Sequence, residues 1–322
     1  MTLRALPIVL FVLLAIVARG ASPESPFGIG GARPFRGTSA ISVAVSPNPA
    51  QGRDLSLVFT NHSAQQIKAS ATVDMVGNRT DGLTHIELAP HEVMTLNVAN
   101  AQTAGARLSE ALPVSVSLTA PSGTANWSGN VYFWAAGAKQ AGPPLTLNSS
   151  QEWQSQDGSW TGPEDLSVTM TARYDKQRLY LHAEVLDDVF SQPYTLGEVW
   201  RGDAFQIAID PNWTRKPDAS DATEFALALT PDGPQVYRWT GKAGLMPGAN
   251  LKVNRDGLHT TYDASIPWRE IGGKAIHAPQ TIGFAFILND NDGKDRQGWL
   301  MYGDGIAIEK RADRYATITL LP

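Results

Sequence analysis

The run Trp200-Arg-Gly-Asp-Ala-Phe-Gln-Ile-Ala-Ile-Asp-Pro211 sets an indole, a carboxylate and a side-chain amide close together along the chain. A pyranose has apolar C–H faces and polar edges, so it is held by an aromatic face above and hydrogen-bonding groups at the side. Trp200 and Gln206 are residues of the right kind for that task. A second group, Asn289-Asp-Asn-Asp-Gly-Lys-Asp295, gathers oxygen ligands around a glycine turn, the chemistry of a hard cation such as calcium. Asp290, Asp292 and Asp295 are its candidate ligands, although no glutamate completes a twelve-residue calcium loop, and Asp187-Asp188 is a further acidic candidate. For both, a solvated acidic turn is the plainer reading.

Catalysis finds little support. Glycoside hydrolysis needs two carboxylates about 5 Å or about 6.5–9.5 Å apart, one of them with a raised pKa. The carboxylates here fall at strand ends and turns, where water is expected to keep them ordinary. No Gly-x-Ser-x-Gly elbow, phosphate loop or zinc signature is present. His182 lies on a strand with no neighbouring His or Cys to share a metal. The chain reads as a binder, not an enzyme.

The elements that must position these groups are strands. From Asp203 onward, Phe205, Ile207 and Ile209 point one way and Ala204, Gln206, Ala208 and Asp210 the other. That period of two predicts a strand with one face in a core and a solvent-facing side on which a ligand can lie. Trp200 stands just outside it, before a glycine that lets the chain turn. Leu166 to Tyr174, Leu179 to Val185, Phe225 to Leu229, Leu258 to Ile266, Ile282 to Leu288 and Trp299 to Tyr302 read as further strands. They predict a larger jelly-roll sandwich over residues 147–322. Upstream, runs such as Ile41 to Val45, Leu55 to Phe59 and Val114 to Leu118 give about seven strands in roughly a hundred residues, the density of an immunoglobulin-like sandwich. It is placed over 38–136, with a Gly- and Pro-rich linker over 137–146.

The fold class is therefore all-β, two sandwiches in series after a cleaved signal peptide. Arg4, the apolar run Ala5 to Val17 and Ala18-Arg19-Gly20 predict that signal over residues 1–20, followed by a flexible leader over 21–37. Charged residues are 18% and hydrophobic ones 43%, with 29 Gly and 21 Pro, which suits a turn-rich β protein. A net charge of -5 without a basic block argues against nucleic acid as a partner. The absence of cysteine excludes disulfides and a lipoprotein anchor. An exported protein of this kind relies on core size and belongs in a bacterial periplasm or exterior, with no membrane span in the mature chain. The Asn-x-Ser/Thr triplets at Asn61, Asn78, Asn126, Asn148 and Asn212 are treated as accidental.

With the strands placed, residues from about 150 to 322 resemble the family 9 carbohydrate-binding modules. The resemblance rests on Leu179-Tyr-Leu with Val185-Leu-Asp-Asp188, on Trp200 to Asp210, on Tyr262-Asp-Ala-Ser-Ile-Pro-Trp268, and on Ile282-Gly-Phe-Ala-Phe-Ile-Leu-Asn-Asp290 followed by Arg296 and an aromatic strand. It implies a sandwich that clamps the end of an oligo- or polysaccharide between two rings, without catalysis, as an accessory to glycoside hydrolases at most. By position Trp200 is one ring and Tyr302 the other, since Trp299 has the opposite parity on its strand. Gln206, Glu224 and Asn289 are the polar partners. Gln206 stands where the family often carries an acidic residue, and Ala226 near a commonly basic position, so the choice of sugar is left open. No cofactor is implied beyond a structural calcium. The N-terminal half more loosely resembles bacterial Ig-like domains.

Two other readings stay open on the residues. Related sandwiches bind haem b for electron transfer, and Met170, Met246 or Met301 with a Lys or His are residues that ligate haem iron. The other is a structural surface module whose groove is vestigial.

Overall fold

The computed structural model describes residues 33–38, 41–48, 54–61, 63–75, 78–98, 112–121, 123–131, 134–150, 152–155, 160–214, 216, 218–273, 276 and 278–322. The expected signal peptide and residues 21–32 of the expected leader lie outside them. The first sandwich is built from β1 (Arg33–Thr38), β2 (Ile41–Asn48), β3 (Asp54–Asn61), β4 (Ile67–Met75), β5 (Asn78–Leu88), β6 (Val93–Val98), β7 (Leu112–Ala120) and β8 (Gly123–Val131). Its two sheets run β1-β2-β3-β6 and β5-β4-β7-β8. Alternate residues of β4 and β7, namely Ala69, Ala71 and Val73 with Val114, Val116 and Leu118, meet Leu57 and Phe59 of β3 in one core. β1 occupies Arg33–Thr38, which lies inside the stretch expected to be a loose leader.

Asn61 shows why its triplet is no glycan acceptor. Its side chain is buried, its amide donating to the Gln65, Leu88 and Ala89 carbonyls while its Oδ1 accepts from the Ser63 backbone. It pins the end of β3 to the end of β5.

The second sandwich comprises β9 (Ala135–Gly137), β10 (Leu145–Leu147), β11 (Trp153–Ser155), β12 (Leu166–Tyr174), β13 (Arg178–Asp187), β14 (Ala204–Asp210), β15 (Thr223–Thr230) and β16 (Gly233–Arg238). It continues through β17 (Gly244–Leu245), β18 (Asn250–Asp256), β19 (His259–Pro267), β20 (Gln280–Asp290), β21 (Gly298–Tyr302) and β22 (Ala316–Leu321). One layer runs β17-β16-β15-β14-β20, the first half of β20 pairing β22 and the second half β21. The other runs β12-β13-β19-β18, and β9 lies parallel to both β22 and β12, stitching the two layers together. Trp134, just before β9, is buried edge-on to Phe284 and Tyr302 at 5.3 and 5.6 Å between ring centres, and its N–H donates to the Pro143 carbonyl. The second sandwich therefore starts at Trp134, inside the segment assigned to the first, and the linker is confined between β9 and β10.

β11 crosses β21 so closely that a methyl group at Gly298 would run into the Trp153 ring and the Gln154 carbonyl. Gly298→Ala is expected to cost about 1–3 kcal/mol by overpacking, read as a lowered midpoint in thermal unfolding.

Candidate functional site

β14 sits between β15 and β20 and sends Phe205, Ile207 and Ile209 into the core, Phe205 lying edge-on to Tyr262 and Phe286. Its other face differs from expectation. Ala204, Gln206, Ala208 and Asp210 are all buried, not open to solvent. At the Ala204 end the cause is a 3-10 turn, Leu196–Arg201, that hangs over the strand, while at the far end Asp210 accepts from the Asn212 backbone and the Thr214 hydroxyl. Val199 from this turn and Trp239 cover Ala204, Ala226 and Ala228, and the Trp239 indole donates to the Gly197 carbonyl at 3.0 Å. Gly202 ends the turn with an ordinary φ of -110°. Glycine is required there because a Cβ would strike the side-chain amide of Gln192, which itself ties the Val199 and Asp203 carbonyls. Ala226 thus belongs to an apolar floor.

Beside that floor runs a polar strip. The Asn289 amide donates to Gln206 Oε1 at 3.1 Å, the Gln206 amide to Glu224 Oε1 at 3.3 Å, and Lys310 Nζ to the same carboxylate at 2.6 Å. Arg296 caps the strip. Its guanidinium carbon lies 4.9 Å from the Trp200 ring centre and 4.4 Å from that of Trp299, and Nη1 stands 3.4 Å from Asn289 Oδ1 and 3.5 Å from Gln206 Oε1. Burial lowers its pKa, opposed by the Asp295 carboxylate, yet a guanidinium stays charged at any relevant pH. Trp200 remains half-buried at the rim, so its ring keeps some surface for a partner.

Trp200, Gln206, Glu224 and Asn289 are therefore brought together, and Tyr302 is not. Tyr302 pairs with Phe286 across β20–β21, is 0% exposed, and donates its hydroxyl to the Thr317 carbonyl at 2.7 Å inside the core. It cannot face a ligand. The residue on the Asn289 side of the strand is Trp299, its registered neighbour. Trp299 is 2% exposed under Arg296, and its indole N–H makes no hydrogen bond among the described residues. A two-ring clamp open at both faces is replaced by one rim indole backed by a guanidinium and a second, covered indole. Trp299, Arg296 as a contact of both rings, and Lys310 are the residues sequence reasoning missed. Parity offered a signal for Trp299; nothing in the chain announces that Lys310 reaches Glu224, 86 positions away.

The acidic groups are also rearranged. Carboxylate oxygens of Asp165, Asp188 and Asp292 lie within 4.8 Å of one another. Asp290 is 3% exposed beside them, and its Oδ1 has no hydrogen-bond partner among the described residues. Burial, reinforced by Asp292, Asp165, Asp187 and Asp188, pushes Asp290 up to about 8. Burial likewise raises Asp187 to about 6 against the pull of Arg255, and raises Asp203 well above the carboxylate range. The expectation of ordinary, solvated carboxylates fails for Asp187, Asp203 and Asp290, which are buried, while Asp188 and Asp292 stay exposed. Asp203 is structural, accepting from the Ser191 and Asn291 backbone amides. Asp295 is not part of the group: its carboxylate engages Arg201 at 2.6 Å, which holds its pKa down. The donor set suits a hard cation, all hard oxygens with one buried oxygen unpaired nearby.

His182 is paired with Asp263 at 2.8 Å. Met170, Met246 and Met301 are packed in the core of the second sandwich, where their thioethers fill space.

Residues 146–321, more than half of the chain, match the model of the carbohydrate family 9 binding domain-like family, and the chain belongs to that family. It is a family of binding modules, not of catalysts. Among solved structures, the chain is similar to a carbohydrate binding module family 9 from Caldicellulosiruptor kristjanssonii in complex with cellotriose, at 17% identity over 53% of this chain and 79% of that one, with a TM-score of 0.43. The corresponding complex with glucose gives 18% identity over 52% and 83%, with a TM-score of 0.42. A putative carbohydrate-binding protein from Bacteroides uniformis gives 12% identity over 52% and 86%, with a TM-score of 0.38. No curated protein matches the chain. Among the described residues no helix is long and apolar enough to cross a membrane.

Proposed function

We propose that the second sandwich binds the end of a neutral oligo- or polysaccharide on the outer face of β14, β15, β20 and β21. Trp200 is the stacking platform, and Arg296, Asn289, Gln206, Glu224 and Lys310 supply hydrogen bonds to the sugar edge. The observation that carries this is the unbroken strip from Arg296 to Lys310 beside a half-buried indole. The strip alternates donors and acceptors, and Lys310 answers the charge of Glu224, so it suits hydroxyl groups better than an ion. The protein is exported, as Arg4, the apolar run to Val17 and the absence of cysteine suggest. Asp165, Asp188 and Asp292 hold a structural calcium, with Asp290 as a neighbouring oxygen donor.

Isothermal titration of the full chain against glucose, xylose, cellobiose, cellotriose and mannobiose tests the proposal. At least one sugar is expected to bind at micromolar to millimolar Kd, about -4 to -8 kcal/mol. Absence of heat with every sugar, while circular dichroism shows the folded sandwich, would overturn it.

A further inference from the structure

The opposite outer face of the second sandwich, built by β12, β13, β19 and β18, carries a groove of about 380 Å³. Strand register arranges its floor in two rows. Arg173, Tyr180, Ser265 and Asn250 are mutual cross-strand neighbours in the first, so the row spans four strands at about 4.8 Å each. The Arg173 guanidinium lies 3.9 Å over the Tyr180 ring, and the Tyr180 hydroxyl donates to Asp175 at 2.7 Å. Arg178 Nε donates to Ser265 Oγ, which leaves the proton of that hydroxyl for another partner. In the second row, Asp263 sits between His182, which it contacts at 2.8 Å, and the exposed Lys252. Glu184, at the edge, stands 3.7 Å from the other nitrogen of His182.

The charges separate accordingly. Asp263 and Glu184 are both directed at His182, whereas Arg173 lies in a row whose other members are neutral, with the Asp175 carboxylate held by the Tyr180 hydroxyl at the strand end, and Lys252 forms no ion pair among the described residues. Two cations thus stand at opposite corners of a floor that carries hydroxyls, an amide and the Asp263–His182 pair, on a chain whose net charge is -5. A ligand complementary to this surface carries carboxylates and many hydroxyls. The volume lies at the lower end of small-ligand pockets, room for roughly two sugar rings.

We infer that this groove is a second glycan site, independent of the Trp200 face, which takes an internal stretch of an acidic, uronate-bearing polysaccharide. Arg173 and Lys252 hold the carboxylates, and Ser265, Asn250 and Thr171 the hydroxyls.

The test is titration of the full chain with trigalacturonate, with neutral galactotriose, and with a hexameric single-stranded RNA as competing polyanion. The expected result is binding of the acidic trisaccharide alone, weakened at least tenfold by Arg173→Gln, by the charge reversal Lys252→Glu at an exposed site, and by 0.5 M salt. Trp200→Ala should leave it unchanged. No binding of trigalacturonate, equal binding of the neutral sugar or of RNA, or indifference to both groove variants would overturn the inference. Loss with Trp200→Ala alone would also overturn it, by assigning the acidic sugar to the first face and leaving the reading of that face standing.

Discussion

Trp200→Ala is expected to remove saccharide binding to the β14 face almost entirely, with a loss of about 2–4 kcal/mol, or roughly 30- to 1000-fold in Kd. Beside the polar strip the indole is the ring that keeps surface, because Trp299 is covered and Tyr302 is in the core. Truncation removes the stacking face and also one side of the Arg296 stack, leaving a guanidinium with less to hold it in place. Trp200→Phe should keep part of the affinity, since a smaller ring preserves the platform but not its full area. Because Trp200 is half-buried at a rim and outside the core clusters, the thermal midpoint should move little. Titration calorimetry of the two variants against the best sugar checks this. Unchanged affinity in Trp200→Ala would place the sugar elsewhere.

The second large effect concerns metal. Calcium is expected to stabilise the second sandwich and chelation to destabilise it, because Asp165, Asp188 and Asp292 face one another with Asp290 buried alongside. Like charges this close raise the free energy of the folded state, and a divalent cation turns that repulsion into attraction. At a calcium concentration of about a hundred times Kd the gain is about 2.7 kcal/mol. For a domain of this size each kcal/mol moves the midpoint by about 2–4 °C. Asp292→Asn should reduce or abolish the response to calcium, while Asp295→Asn, at a carboxylate that engages Arg201 and the Arg296 backbone amide outside the acidic group, should keep it. Equal midpoints in calcium and in chelator would contradict the assignment.

Much of the architecture was legible because burial imposes a period of two. β14 reads directly from Phe205, Ile207 and Ile209, and β13 from the alternation of Leu179, Leu181, Ala183 and Val185, all four buried. What sequence could not supply was register and cover. The choice between Trp299 and Tyr302 depended on which of them shares a face with Asn289, and that is decided by the pairing of β20 with β21. The turn over Ala204, Ala226 and Ala228 covers part of a face that alternation alone presents as open. Trp134 looks like the end of the first sandwich by position, yet its ring finds Phe284 and Tyr302, residues far along the chain. Asp295 shares a loop with Asp292, but Arg201 is within reach of one and not of the acidic group.

The most direct measurement is a crystal structure of the full chain grown with the tightest-binding neutral sugar. The expected result is a pyranose ring against Trp200, with hydroxyls within about 3.2 Å of at least two of Arg296, Asn289 and Glu224. A sugar bound anywhere else, with the β14 face unchanged and bare, would contradict it.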